Sequence, residues 1–467
     1  MKKFLSQFLI YGCASMLSKI AAVFLMPLYT SVLPKADYGA MAMILACSGV
    51  LSMLANLNIH SGIARDYYEP DVDRKRLVST GFFSILLCSV MIFMVFFMSR
   101  HSWTRMLGLE SYSKAFLLML LDIPTCSLLA YFSILTRYKN KPVLFLIGSV
   151  SQLAIQISIA VYLVLKRNAG IDGIFFATLL ANLYGTLFFM IVNWEFLGWT
   201  FDMNVLKRTL AFALPTLPSV LVWWFDTSFG QMLIGKYVSL DDLGVYSISL
   251  SITSVFSLIT VAFNNVWGPY LYENYKNDGF NAEIRRLYVL FLFFLITISV
   301  NLSLLANEIV LLLAQPTYIE AVRYITLLCL PLSVYMLLPF VTSGIGISRK
   351  TKYLSYASCT GSLINILMLM VFLPKYGVIV APLSLAVSRL VNYFMSVYYS
   401  NKSVKFDFPH QWILVLTVII MICYVINRLD FSRVLVWSML LVFDMAAVLF
   451  FVKKTKKYNI LQLIKHN

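Results

Sequence analysis

Fourteen long apolar runs, joined by connections too short to fold alone, constrain this chain more than any other feature. They lie at roughly 8–32, 38–63, 78–98, 114–136, 143–165, 170–193, 210–234, 241–263, 287–304, 320–342, 354–373, 377–399, 411–427 and 431–452. Most reach the ~20 residues that an α-helix needs to cross a hydrocarbon core. Each run is continuous rather than alternating, which excludes a barrel of half-lipid-facing strands. Only 12% of the 467 residues are charged and 60% are hydrophobic, with a mean hydropathy of +0.82. So few charges cannot cover a soluble surface of this size. The expected fold is an all-α polytopic membrane protein of about 14 transmembrane helices. The longest connections on one side are 99–113 and 305–319, and on the other 64–77 and 268–286. Function must therefore reside within the bundle or at its mouths.

The formal net charge of +16 invites a nucleic-acid partner, and its placement argues against one. With the N-terminus cytoplasmic, inner loops and tails hold 24 Lys and Arg and outer loops 10, while Lys19, Arg323 and Arg389 fall within runs. That asymmetry is the positive-inside rule, and it places both termini in the cytoplasm. Lys453, Lys454, Lys456 and Lys457 add attraction to anionic lipid. The 7 cysteines show no metal or redox spacing. Met1-Lys2-Lys3 resembles a signal start, but the run after it continues past Lys19 without a clear cleavage site, which reads as a retained first helix.

The chain contains itself twice. The centre of the pattern is Leu214–Glu273, in which two apolar runs flank Asp241-Asp242-Leu243-Gly244. Ala36-Asp37-Tyr38-Gly39 precedes a similar run about two hundred residues earlier. Gly39 matches Gly244 at an offset of 205, Glu69 matches Glu273 at 204, Pro124 matches Pro331 at 207, and Gly170 matches Gly377 at 207. These landmarks divide the chain into a six-helix lobe at 1–195, a second at 196–405, and helices 13 and 14 with a basic cytoplasmic tail at 406–467. Six runs per copy is an even number, so the two copies keep one orientation. Such parallel repeats place a working site between them.

Ionisable groups at membrane depth cost roughly 2.5–3.5 kcal/mol even on a lenient scale, so they face a bundle interior or water. Lys19, Asp122, Asp226, Arg323, Arg389 and Asp444 lie within runs. Lys19 and Arg389 fall near the middle of the first and twelfth; Asp122, Asp226 and Arg323 fall in outer halves. Polar stripes at helical spacing accompany them: Ser48, Ser52 and Asn56; Ser149, Gln152 and Gln156; Ser355, Ser358, Ser362 and Asn365; Arg389, Asn392 and Ser396. Such stripes either glue helices together or line a hydrophilic cavity. Lys19 and Arg389 either pair with Asp122, Asp226 or Asp444, or form an anion site for a phosphate-bearing or acidic ligand, with Arg323 as a further contact. Asp122 and Asp226 are candidates to bind and release a proton or sodium ion. There is no nucleotide loop, dinucleotide fingerprint, HExxH or CxxC, so no cofactor or metal is expected and no catalytic residue stands out.

Three motifs carry a resemblance across nearly the whole chain: Pro34-Lys35-Ala36-Asp37-Tyr38-Gly39, Asp242-Leu243-Gly244-Val245-Tyr246 and Trp267-Gly268-Pro269-Tyr270-Leu271-Tyr272. In that order and spacing, the chain resembles the polysaccharide-transporter (Wzx-type O-antigen flippase) branch of the superfamily that also holds multidrug extruders and the lipid II flippase. The resemblance implies two six-helix bundles facing each other in a V, alternating access across the bacterial inner membrane, and no enzymatic activity. It implies as cargo an undecaprenyl-diphosphate-linked oligosaccharide, such as an O-antigen repeat unit of lipopolysaccharide, delivered outward to a polysaccharide polymerase and chain-length regulator. The family's interior is cationic, which Lys19 and Arg389 match. A cation-coupled multidrug antiporter of the same fold is the first alternative, and the extra pair of runs argues against it. An integral-membrane glycan polymerase or acyltransferase is the second; the outer loops are short and no His lies at a run centre.

Overall fold

The computed structural model describes residues 23, 25–69, 72–139, 141–348, 350–429 and 431–458. No strand occurs among them, and the expected all-α membrane architecture is the one observed. Among the described residues, eleven helical stretches are long and apolar enough to cross a bilayer. Three particulars separate that number from fourteen. The stretch Lys352–Asn401 contains two of the runs, turned at Gly377, whose φ is +71°. The run 210–234 is not one helix. It is built from α8 (Met203–Ala213), α9 (Leu217–Trp224) and α10 (Gly230–Tyr237), interrupted by a 3₁₀ turn at Leu214–Thr216 and a π turn at Phe225–Phe229. The first run lies largely outside the described residues. Large apolar side chains such as Met94, Met98, Leu414, Ile422, Val434 and Leu449 stand exposed, as lipid-facing positions should.

The duplication reappears in the elements. Following the first motif come α1 (Lys35–Asn56), α2 (Ile59–Asp66), α3 (Arg74–Met98), α4 (Arg100–Leu107), α5 (Ser113–Tyr138), α6 (Pro142–Arg167) and α7 (Gly170–Val192). Their counterparts are α11 (Leu240–Thr253), α12 (Val255–Asn274), α13 (Phe280–Leu304), α14 (Ala306–Leu313), α15 (Ala321–Ile347), α16 (Lys352–Tyr376) and α17 (Val380–Asn401). Helices α3 and α13 are 25 residues each and begin 206 apart. The connections after them, read from sequence as loops, each hold an eight-residue helix and then a 3₁₀ turn, again 206 apart. Pro124 and Pro331 both lie inside helices. Gly170 and Gly377 both have positive φ, +54° and +71°, a conformation that costs an L-residue roughly 1–2 kcal/mol.

The Gly39–Gly244 match has a physical cause. A Cβ on Gly39 would run into the backbone carbonyl of Leu240, and one on Gly244 would run into that of Lys35. Lys35 and Leu240 are themselves offset by 205. The contact is reciprocal: each copy offers the other the same two positions. Both sites need glycine because the N-terminal turns of α1 and α11 cross backbone to backbone.

Packing divides the chain into two compact units, Met1–Ser247 with Ile366–Val378, and Ile248–Asn365 with Ile379–Asn467. In the first, α5 packs on α7 and α3, α6 on α7, and α8 on α2. Gly62 of α2 meets Thr209 of α8, while Arg208 pairs with the buried Asp66 at 2.9 Å. In the second, α15 packs most heavily on α17, and α13 on α15. The last pair, α18 (Gln411–Arg428) and α19 (Arg433–Tyr458), belongs to this second unit and is held by polar bonds. Asn427 donates to Ser303 O at 2.8 Å and Thr326 Oγ1 at 3.0 Å, and Asn301 donates to Asp444 at 2.8 Å. The sequence division at 195 and 405 marks copies; the packing division marks contacts.

Candidate functional site

The first unit holds a buried carboxylate network. Asp122 sits about two turns into the apolar part of α5, just before Pro124, and is 7% exposed. Asn182 of α7 donates to both of its oxygens, at 3.0 and 2.8 Å. The Thr125 hydroxyl donates to Asp122 Oδ1 at 2.6 Å. Gln152 of α6 donates to Asn182 Oδ1 at 2.9 Å, and Gln156 to Thr178 at 3.1 Å. Three helices thus converge on one carboxyl group inside a membrane-spanning bundle. Every bond to it comes from a neutral donor. Such a site can hold a proton on the acid or a small cation beside the anion.

Asp226 lies in the π turn between α9 and α10 and is 9% exposed. A π turn inserts one residue into the helix ladder, freeing local backbone groups and re-aiming side chains; such turns are frequent at functional positions. The turn is anchored at its start by Trp224, whose indole N–H donates to Ala46 O at 3.0 Å, with Gly49 against the indole. The helix α1 that receives Trp224 also meets α5: Ser52 Oγ and Cys126 Sγ are 3.9 Å apart. Ala46 and Ser52 are separated by about 9 Å along α1 at 1.5 Å per residue. Both acids therefore lie against one wall of the first unit.

Arg389 is buried on α17 of the second unit, with its guanidinium 4.5 Å from the ring centre of Tyr335 on α15. One turn on, Asn392 donates to Ser358 of α16 at 3.5 Å and accepts from Ser396 at 3.3 Å. Gly361 approaches Ser388 so closely that a Cβ would lie 2.8 Å from its carbonyl oxygen. To that extent the stripe joins α16 to α17, one of the two readings given above. Arg323 lies in the first turn of α15, paired with Glu320 at 2.5 Å. With Tyr424, Asn427 and Arg428 it lines a cavity of about 280 Å³. Lys19 lies outside the described residues.

The structure brings Asp122 together with Gln152, as the stripe on the fifth run allows, and adds two partners that sequence reasoning missed. Asn182 was legible only through the four-residue spacing of Thr178, Asn182 and Thr186, and Tyr335 carries no sequence signal in an apolar helix.

A family model for polysaccharide biosynthesis proteins matches residues 30–323. The chain belongs to this family. No curated sequence is close enough to match. Among solved structures, the fold of this polysaccharide biosynthesis protein is similar to that of the lipid II flippase MurJ in an inward closed conformation. That likeness has a TM-score of 0.70 at 17% identity, covering 97% of this chain and 99% of the other. It is also similar to a multidrug resistance MATE transporter of the MOP superfamily in an inward-facing conformation (0.66, 14%, 85% and 95%) and to an outward-facing one (0.58, 14%, 87% and 94%). At such identities these likenesses establish the fold. The family member described here is a multi-pass membrane protein with the MurJ and MATE architecture.

Proposed function

We propose that this protein flips undecaprenyl-diphosphate-linked oligosaccharides, the repeat units of O-antigen or a similar surface polysaccharide, from the cytoplasmic to the periplasmic face of the bacterial inner membrane. It does so by alternating access, with both termini in the cytoplasm. The observation that carries the reading is a polysaccharide-biosynthesis chain on a flippase and transporter frame. Translocation of a lipid-linked unit is the step of such biosynthesis that this frame can perform. The last helix pair supports it over multidrug antiport: α18 and α19 are bonded into the second unit, and the likeness to the lipid II flippase extends over 97% of the chain, against 85% for the inward-facing multidrug transporter.

In this reading Lys19, Arg389 and Arg323 attract the diphosphate and acidic parts of the cargo. Asp122 and Asp226 take up a proton or sodium ion on one side and release it on the other. One charge moved through 100 mV supplies about 2.3 kcal/mol, enough to bias a cycle without nucleotide. The exported unit passes to a polymerase and chain-length regulator. Purified protein in liposomes, with a lipid-linked oligosaccharide whose exposure is read from outside, tests the proposal. Translocation should accelerate under an imposed proton or sodium gradient, and Asp122→Asn or Asp226→Asn should abolish that acceleration while leaving lipid binding within about twofold. Absence of translocation under any gradient refutes the flippase; gradient-indifferent translocation refutes the coupling alone.

A further inference from the structure

The segment that leads from α7 into α8 is fixed at several points, yet turns its largest apolar side chains outward. Ser79 Oγ donates to Phe196 O at 3.2 Å and accepts from Gly198 N–H at 2.8 Å. Asp202 N–H donates to Thr80 Oγ1 at 3.1 Å. These bonds hold residues 196–202 along the first turns of α3. Asp202 then caps α8, accepting from the N–H groups of Asn204 and Val205. A backbone held this way could bury its rings, but Trp199 is 95% exposed and Trp194 64%, with Phe201 and Met203 about half-exposed.

Cations frame these rings. The side chain of Lys75 lies against Gly198. Lys207 is exposed on α8, four residues after Met203 and on the same face. Most of the nearby carboxylates are engaged elsewhere, and Glu69 acts on Arg208. Asp66 pairs with Arg208, Asp73 and Asp202 cap helices, and Glu195 meets Lys139 at 2.8 Å. The hydrogen bond and charge of Lys139 hold the Glu195 carboxyl below its usual range, so at neutral pH it is ionised and already matched. Lys75 and Lys207 have no carboxylate partner among the described residues. Indole rings beside lysines are what the membrane–water boundary selects, and a short helix with an apolar and basic outer face lies in that plane.

We propose that residues 194–211 form an interfacial strap that binds the phosphate headgroups of anionic phospholipids. Trp194 and Trp199 lie in the headgroup layer, and Lys75 and Lys207 face lipid phosphate. The strap is distinct in sequence from the basic C-terminal tail, and the inference is independent of what the protein transports. The test uses the full chain in a neutral detergent, titrated with phosphatidylglycerol or phosphatidylcholine while thermal unfolding is followed. Phosphatidylglycerol should stabilise the wild type more than phosphatidylcholine does. The apparent affinity should fall about fivefold for each of Lys75→Ala and Lys207→Ala, since each lysine near an anionic surface contributes about 1 kcal/mol. A variant with Lys453, Lys454, Lys456 and Lys457 all changed to Ala should keep the effect of these two substitutions. In a second measurement, lipid brominated near the headgroup should quench wild-type fluorescence more than that of Trp199→Phe. Equal phosphatidylglycerol affinity in wild type and the Lys75→Ala/Lys207→Ala variant overturns the phosphate contact, and equal quenching overturns the placement of the ring. Either result would leave this face to a protein partner.

Discussion

At the residue scale, the membrane interior makes each polar group's partners informative, because no water is there to substitute. Asp122 accepts three hydrogen bonds, one from Thr125 on its own helix and two from Asn182 on α7, and every donor is neutral. Arg389 lies over an aromatic face. If Arg389 attracts the cargo's diphosphate, Arg389→Ala should lower surface glycan by about tenfold to a hundredfold, the range expected for a lost charge-assisted bond of about 1.5–3 kcal/mol. Membrane abundance should stay near wild type. Arg389→Lys should restore only part, since a planar fork becomes a point charge. An Arg389→Ala protein that fails to accumulate would show instead that the residue holds the second unit together. The charged residues were legible from sequence because a charge in an apolar run is conspicuous. Asn182 and Tyr335 were not, since a lone amide or phenol in such a run reads as helix glue until its partner is seen.

At the element scale, the helices follow from run length, and their interruptions follow from local chemistry that length does not display. Pro215 and Pro218 announced irregularity at the start of the seventh run. The π turn at Phe225–Phe229 left no trace, because one extra residue does not alter an apolar pattern that has no polar phase. The short helices α4 and α14 were read as loops because eight residues are too few to cross a bilayer; Gly108, with a φ of +70°, supplies the left-handed stop that closes α4. The paired stops at Gly170 and Gly377 lead to a measurable expectation. Gly170→Ala and Gly377→Ala should each destabilise the purified protein by about 1–2 kcal/mol, the cost of a left-handed L-residue. Asn at either position should be milder. Gly39→Ala should be worse than both, because its methyl group meets a backbone carbonyl that cannot rotate away. Thermal unfolding of the variants in one detergent ranks them, and a Gly39→Ala protein as stable as wild type would contradict the crossing.

For the whole molecule, the fourteen-run frame and the duplication were both readable from sequence, since bilayer thickness fixes one and copying fixes the other. The compact units were not, because packing of α8 onto α2 depends on Gly62, Thr209 and the Asp66–Arg208 pair rather than on any periodicity. The orientation expected from the basic loops is open to labelling with single cysteines. Positions 141 and 350 should react only from the cytoplasm, and positions 105 and 375 only from outside. Lys141 serves better than Lys139, whose amine is buried against Val192 O and Glu195. Labelling of position 141 or 350 from outside would invert the frame. The reciprocal crossing at Gly39 and Gly244 has a historical consequence. A self-complementary contact is what two identical chains make about a two-fold axis, so the crossing is the arrangement expected if two copies of one gene were joined. In such a dimer every substitution appears twice. Within one chain each copy is free to change alone: Asp122 lies in the first copy, and Asp226 and Arg389 lie in the second.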